Sequence, residues 1–199
     1  NFHMRSKNWL QRHKQDIYVK KAKKEGYLSR AAFKLIEIEN KFKIISNSKK
    51  ILELGSSPGS WSQVICNLNT NVSIHAFDIL DMKFKHPQIK FFKEDFLEFD
   101  FRSLKIKYDL VLSDVAPNTV GHQSTDHLRI ISLIEPMLYL VENYIQLNGN
   151  FIFKLWKGSQ DKIILDQLKQ KFKIISNFKP KSSRTRSSEI YIVAQRFII

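Results

Sequence analysis

The chain has 199 residues, with 33 Lys and Arg against 19 Asp and Glu and a formal net charge of +14. A content of 43% hydrophobic and 26% charged residues is that of a globular chain, and this length suits one domain with its own core. The single cysteine, Cys66, excludes an internal disulfide and a cysteine-rich metal site, and no apolar run reaches the roughly 20 residues that span a bilayer.

The positive charge is uneven. Residues 1–50 hold fourteen Lys and Arg against Asp16, Glu25, Glu37 and Glu39, so +10 of the +14 lies there. Such a surface attracts polyanions, nucleic acid above all, although a solvated face is the plainer reading of any single lysine. The chain divides into a basic N-terminal arm, 1–27, and a domain, 28–199. The arm carries Lys20, Lys21, Lys23 and Lys24 among scattered aromatics.

Ser29 reads as the N-cap of a helix to about Asn40, with Ala32, Leu35, Ile36 and Glu39 in register. From residue 50 strands and helices alternate. Strands are predicted at Lys50–Leu54, Val72–Phe77, Tyr108–Ser113, Phe151–Trp156, Lys173–Phe178 and Glu189–Gln195, with a further apolar run at Ile89–Phe92. Helices are predicted at Gly59–Leu68, at Leu128–Ile145 with a stop at Asn148-Gly149, and at Asp161–Phe172. This order implies an α/β fold with a doubly wound, mostly parallel sheet, helices on both faces and ligands at the carboxyl ends of the strands. The heptapeptide Lys-Phe-Lys-Ile-Ile-Ser-Asn occurs at 41–47 and 171–177, in different contexts, and implies no repeat architecture.

The segment Ile51-Leu-Glu-Leu-Gly-Ser-Ser-Pro-Gly-Ser-Trp61 leaves a strand and opens a helix. Gly55 permits a tight turn and close approach of a ligand, and Pro58 suits a first helical turn. The turn through Gly55, Ser56, Pro58 and Gly59 is the candidate cofactor-binding loop, whose exposed amides at a helix start favour an anionic or carboxylate-bearing ligand. A dinucleotide fingerprint would need glycine at 57 and 60, where serines stand, so a nicotinamide-dependent oxidoreductase fails on spacing. Asp78 can accept from the ribose hydroxyls of an adenosine and Asp95 from its amino group; the plainer readings are a turn aspartate and a helix cap.

Asp114 follows a wholly apolar strand, and Lys154 lies inside another between Phe153 and Leu155. A buried lysine needs a partner, unless it snorkels out from an edge. A basic Ser/Arg loop with Arg184 and Arg186 then runs into Glu189. His75 and His122 lack metal-ligand spacing, and Cys66 reads as a small core residue.

Six segments together resemble the FtsJ/RrmJ family of ribose 2′-O-methyltransferases. They are Ser29-Arg-Ala-Ala-Phe-Lys34-Leu, Leu54-Gly-Ser-Ser-Pro-Gly-Ser-Trp-Ser-Gln63, Ala76-Phe-Asp78, Ser113-Asp-Val-Ala-Pro-Asn118, Phe153-Lys154 and Pro180-Lys-Ser-Ser-Arg-Thr-Arg-Ser-Ser-Glu189. The likeness runs from about Tyr27 to the C-terminus. It implies a Rossmann-like, seven-stranded methyltransferase fold that uses S-adenosyl-L-methionine and no metal. It implies a catalytic tetrad of Lys34, Asp114, Lys154 and Glu189, and cofactor contacts at Gly59, Trp61, Asp78, Asp95 and Asp114. Ser60 departs from the glycine usual in the bacterial ribosomal enzymes. Lys154 would act, neutral, as general base, with Lys34 stabilising the alkoxide. RNA phosphates would meet Lys20, Lys21, Lys23, Lys24, Arg30, Arg184 and Arg186.

Asn118, with Gly121 and Asp126 beyond it, resembles the large-subunit ribosomal RNA (RlmE-like) branch and implies a uridine ribose as target. The alternatives are a tRNA anticodon-loop methyltransferase and a non-catalytic RNA-binding ribosome-assembly factor. A monomer without membrane attachment is expected. The expected setting is intracellular, cytoplasmic or, if a transit peptide has been removed, mitochondrial or otherwise organellar.

Overall fold

The computed structural model describes residues 16–115, 123–156, 161–184 and 187–198. Five α-helices lie within them: α1 (Ile17–Glu25), α2 (Ala31–Phe42), α3 (Ser60–Leu68), α4 (Gln123–Tyr144) and α5 (Asp161–Lys169). Seven strands form one sheet: β1 (Lys50–Leu54), β2 (Ser73–Phe77), β3 (Ile89–Phe92), β4 (Tyr108–Ser113), β5 (Ile145–Trp156), β6 (Phe172–Phe178) and β7 (Glu189–Phe197). The order is β3-β2-β1-β4-β5-β7-β6. All neighbours pair in parallel except β7, which runs antiparallel to both β5 and β6. The expected mostly parallel α/β sheet is the one observed.

Side chains alternate across the sheet and divide the core in two. On one face Leu52, Leu54, Val111, Phe151 and Phe153 pack with Met137 and Val141 of α4 and Leu168 of α5. On the other Ile51, Leu110, Leu112, Ile152 and Val193 pack with Leu35 and Ile38 of α2 and Val64 and Ile65 of α3. Both faces are therefore apolar, as a doubly covered sheet requires.

Several boundaries differ from the sequence expectation, three of them with a clear local cause. Helix α4 does not stop at Asn148-Gly149: it begins at Gln123, ends at Tyr144 and passes straight into β5. Asn148 does take a left-handed conformation, φ 63°, but inside the strand. There the pairing with β4 jumps from Tyr108↔Ile145 to Leu110↔Asn150, so the stop signal serves a bulge. Helix α5 ends at Lys169 rather than Phe172, because Phe172 is buried in β6 against Phe197, ring centroids 5.3 Å apart. Pro58 stands outside the first helical turn, because α3 begins at Ser60 behind Gly59. The Ser57–Pro58 bond is cis, and the Pro58 carbonyl accepts from the amides of Lys83 and Phe84.

Residues 16–27 of the arm are packed onto the domain. Asp16 caps α1 through the Tyr18 amide at 3.0 Å, and Gly26 in the left-handed region closes it. Val19 and Ala22 are buried, and the Tyr18 and Tyr27 rings lie 5.7 and 5.8 Å from that of Phe33. The N-cap of α2 is Arg30 rather than the expected Ser29, and it makes no side-chain cap bond; the Ser29 hydroxyl, one residue earlier, accepts from the Ala31 amide at 3.2 Å.

Candidate active site

Strand alternation converges three distant residues on the α2/α3 face. Asp114 shares parity with Leu112, Lys154 with Ile152, and Glu189 with Tyr191 and Val193, all core residues of that face. Ser113 pairs with Phe153, and Lys154 pairs with Tyr191. Asp114 and Lys154 therefore meet at the carboxyl ends of two parallel strands. Because β7 runs the other way, its first residue, Glu189, opens onto the same edge.

The result is two lysine–carboxylate pairs. Lys154 Nζ lies 3.2 Å from Asp114 Oδ1, and Lys34 Nζ lies 2.6 Å from Glu189 Oε1. All four side chains are at most 20% exposed, so neither lysine is left unpaired in the apolar surroundings that made Lys154 conspicuous. A hydroxyl steadies each carboxylate. Tyr191 Oη donates to Asp114 at 2.5 Å, and Ser183 Oγ donates to Glu189 at 3.0 Å. Sequence reasoning assigned no part to Tyr191 or Ser183. The signal for Tyr191 was its place two residues past Glu189, on the same face of an apolar strand.

Burial works on Glu189 by raising its carboxyl, but Lys34, then Lys154 and Ser183, hold it below the ordinary value. Its anionic form is therefore favoured, as an ion pair to Lys34 requires. Tyr191 is pushed well above the usual phenol by burial and by Asp114, so it stays a donor. Beneath the site, Glu53 of β1 is fully buried. Burial raises its carboxyl to about 8, Asp114 and Asp78 add to the rise, and the Ser62 hydroxyl, which donates to it, opposes it. At neutral pH Glu53 is mostly protonated.

Helix α2 presents a stripe at helical spacing: Arg30 just before it, then Lys34 and Glu37. Glu37 accepts from the amides of Lys181 and Ser182 at 2.5 and 2.9 Å. Arg30 donates to the Ser182 carbonyl. These contacts fix the turn that leads through Arg184 to Glu189. Beside it is a pocket of about 380 Å³ lined by Arg30, Lys34, Arg184, Ser187 and Glu189.

The second part of the edge lies over β1 and β2. Gly55 and Gly59 have φ of 75° and 113°, in the region that favours glycine. A Cβ on Gly55 would come 2.5 Å from a Val115 methyl, and one on Gly59 would come 2.6 Å from Phe84 Cβ. The close approach expected at Gly55 is thus to the residue after Asp114, which draws the turn toward the edge that holds Asp114 and Lys154. Asp78 is half-buried at the end of β2 and accepts from the Ser57 and Leu80 amides, both at 2.8 Å. Asp95, three residues past β3, accepts from the Leu97 amide at 2.9 Å. Asp78 thus makes the local turn that was its plainer reading, whereas Asp95, read as a helix cap, makes a turn with no helix behind it; both lie beyond the carboxyl ends of their strands. The Ser56 hydroxyl is buried without a hydrogen-bond partner, an unmet polar group in the turn. Glycines, an unmatched hydroxyl and two carboxylates in this order fit an adenosine with a zwitterionic tail.

Trp61 is not brought to that surface. Its indole is 3% exposed, lies 5.8 Å from the Tyr191 ring and donates to the Ala31 carbonyl at 2.9 Å. It joins α2 to α3 behind the site. Of the expected RNA contacts, Lys20, Lys21, Lys23 and Lys24 are exposed on α1. Arg30 and Arg184 line the pocket. Arg186, Asn118 and Gly121 lie outside the described residues, as does the Asp126 side chain. His75 hydrogen-bonds the Tyr108 hydroxyl at 2.8 Å, and no metal-holding group of His, Cys, Asp or Glu occurs among the described residues. Cys66 is buried, its thiol pushed up to about 11 by burial and then by Glu53.

Comparison with known proteins agrees with this fold. The FtsJ-like methyltransferase family matches residues 27–197. Ribosomal RNA large subunit methyltransferase E of Rickettsia bellii is 42% identical over 200 residues, covering 95% of this chain and 88% of that one. The Wolbachia (Brugia malayi) protein of the same name is 42% identical over 196 residues, covering 97% and 89%. A solved structure from Plasmodium falciparum, described as a ribosomal RNA methyltransferase, superposes with a TM-score of 0.76 at 33% identity, over 86% of this chain and 99% of that one. A fibrillarin/Nop5p complex, at TM-score 0.57 and 17% identity over 75% and 73%, shares the fold.

Proposed function

This chain belongs to the FtsJ-like methyltransferase family and is an RNA methyltransferase, and we propose that it methylates a ribose 2′-hydroxyl of large-subunit ribosomal RNA with S-adenosyl-L-methionine. The observation that carries the reading is the pair of buried lysine–carboxylate contacts, Lys154–Asp114 and Lys34–Glu189, at the edge that also holds the basic pocket. The large subunit as substrate is supported by the names of relatives at about 40% identity. A uridine target rests on the likeness of Ser113–Asn118 to that branch.

Gly55, Ser56, Gly59, Asp78 and Asp95 would hold the cofactor, with Asp114 toward its reacting end. Bound there, S-adenosyl-L-methionine supplies an electrophilic methyl group on a sulfonium. The chain's own task is to make an alcohol nucleophilic and to aim it. Lys154 Nζ, in its neutral form, accepts the hydroxyl proton. Asp114 orients that amine and is itself fixed by Tyr191. Lys34, held by Glu189, stabilises the charge that develops on the ribose oxygen. Arg30, Arg184, Arg186 and the lysines of α1 meet phosphates.

The test is direct. The protein is incubated with methyl-labelled cofactor and, in separate reactions, unmethylated large ribosomal subunits, free ribosomal RNA and tRNA. Label should enter the ribosomal substrate as a 2′-O-methyl uridine. Label in tRNA alone would move the enzyme to the anticodon-loop branch, and label in no RNA would favour a binding module that keeps the fold.

A further inference from the structure

Asp16 is the one acid in the first 24 residues of a strongly basic region, and its side chain is only 12% exposed. It does more than cap α1. Arg30 Nη1 pairs with its Oδ2, and Arg184 Nε lies 3.7 Å from the same oxygen. Two guanidiniums from opposite ends of the sequence thus converge on one carboxylate. Asp16 itself does not line the pocket, whereas Arg30 and Arg184 do, so it stands behind them.

We propose that Arg30 and Arg184, braced from behind by Asp16, form a subsite for a single phosphate at the mouth of the pocket, and that it takes the phosphodiester adjoining the ribose that is methylated. The inference rests on the RNA reading above. Charge supports one phosphate: two guanidiniums and one carboxylate leave a single positive charge, and the Lys34–Glu189 pair beside them is neutral. Geometry supports an adjoining phosphate, because Arg30 and Lys34 are four residues, about one helical turn, apart, or about 6 Å along the axis. Each terminal nitrogen of Arg30 keeps a second N–H beyond its contacts with Asp16 and the Ser182 carbonyl. Arg184 is 52% exposed, which leaves its fork open to a ligand. Burial and Arg184 together push the Arg30 guanidinium below its ordinary value, with Glu189 opposing; an added anion relieves that crowding.

Asp16 is therefore a positioning residue, and Asp16→Asn isolates it. Asparagine caps a helix as well as aspartate does, so α1 is retained while the charge is lost, and unchanged thermal melting checks this. Binding of a short fluorescein-labelled RNA is followed by anisotropy from low to high salt. Arg184→Gln should weaken binding about tenfold and lower the slope of log Kd against log salt by about 1. Asp16→Asn should weaken it about fivefold, and adding Arg184→Gln in that background should cost only about twofold more, because the two act as one unit. In methyl transfer to unmethylated large subunits, both variants should raise the RNA KM by more than they lower kcat. An unaltered salt slope in Arg184→Gln, or tighter RNA binding in Asp16→Asn, overturns the subsite; the second result would make Asp16 a competitor of phosphate rather than a brace. Transfer by the unmodified protein is scored separately, so loss of the reaction and loss of the subsite are distinct results.

Discussion

Lys154 and Asp114 stand at the ends of neighbouring parallel strands, whereas Lys34 and Glu189 reach each other from a helix and from the mouth of an antiparallel strand. The first pair is fixed by sheet register and steadied by Tyr191, a fully buried residue directly opposite Lys154. The second is steadied by Ser183, in a turn that Glu37 and Arg30 pin to α2. The contacts are similar, but one set is built into the sheet and the other joins three separate segments. A group that must meet a proton at a fixed point belongs on the rigid set. A group that must follow an incoming polymer belongs beside the loop that touches it. On the proposed reading, the division gives the proton to Lys154–Asp114, and gives the ribose oxygen, its charge and its placement, to Lys34–Glu189.

The sharpest way to break that contrast is Lys154→Ala. It should lower kcat about 1,000-fold, within the span of general-base effects, with cofactor affinity by calorimetry nearly unchanged; near-normal turnover would remove the base role. A smaller test compares the two hydroxyls. Tyr191→Phe should lower kcat about tenfold, since it removes a donor to a charged group. Ser183→Ala should cost about threefold and chiefly in the RNA KM, because its carboxylate keeps Lys34. Equal effects on the same parameter would erase the distinction.

The smallest effect is on stability against pH. The sheet-borne pair has a third carboxylate beneath it, Glu53, raised from 4.5 to about 8. Between those values the folded chain holds a proton that the unfolded chain has lost, so this group makes stability fall as pH rises from about 4.5 to 8. Glu189 has the opposite sign: its lowered value adds stability above the unfolded carboxylate range, lost as pH falls through the folded value. Melting temperatures from pH 5 to 8 should therefore fall less in Glu53→Gln than in the unmodified protein. An identical slope would mean that Glu53 is ionised in the fold.

What could be read beforehand follows this division. The strands that end at Leu54 and Ser113 were legible to the residue, since an apolar run closed by Gly55 or Asp114 marks its own boundary. The four tetrad positions were legible through family likeness, and the structure brings them together. Asp16, Glu37 and Tyr191 were not assigned, because each acts on a residue far away in the chain, and Ser183, six residues before its partner Glu189, looks ordinary in a Ser/Arg loop. The heptapeptide shows the same limit. At 41–47 it ends a helix and forms a short 3-10 turn, where Glu39 accepts from the Ile45 and Ser46 amides at 2.7 and 3.1 Å. At 171–177 the same seven residues run into β6 and pair with β7. Long-range partners, not the residues themselves, decide between the two.

Arg30, Lys34 and Glu37 share one stripe of α2, and each grips something carried by residues 182–189 or their approach. A point change removes one grip. Inserting or deleting one residue between positions 30 and 37 rotates part of the helix by about 100° and misaligns grips on either side of the change at once. Substitution there is thus a graded event and a length change an all-or-none one. The spacing of α2 is thus more tightly constrained by its contacts than the identity of any one of its residues.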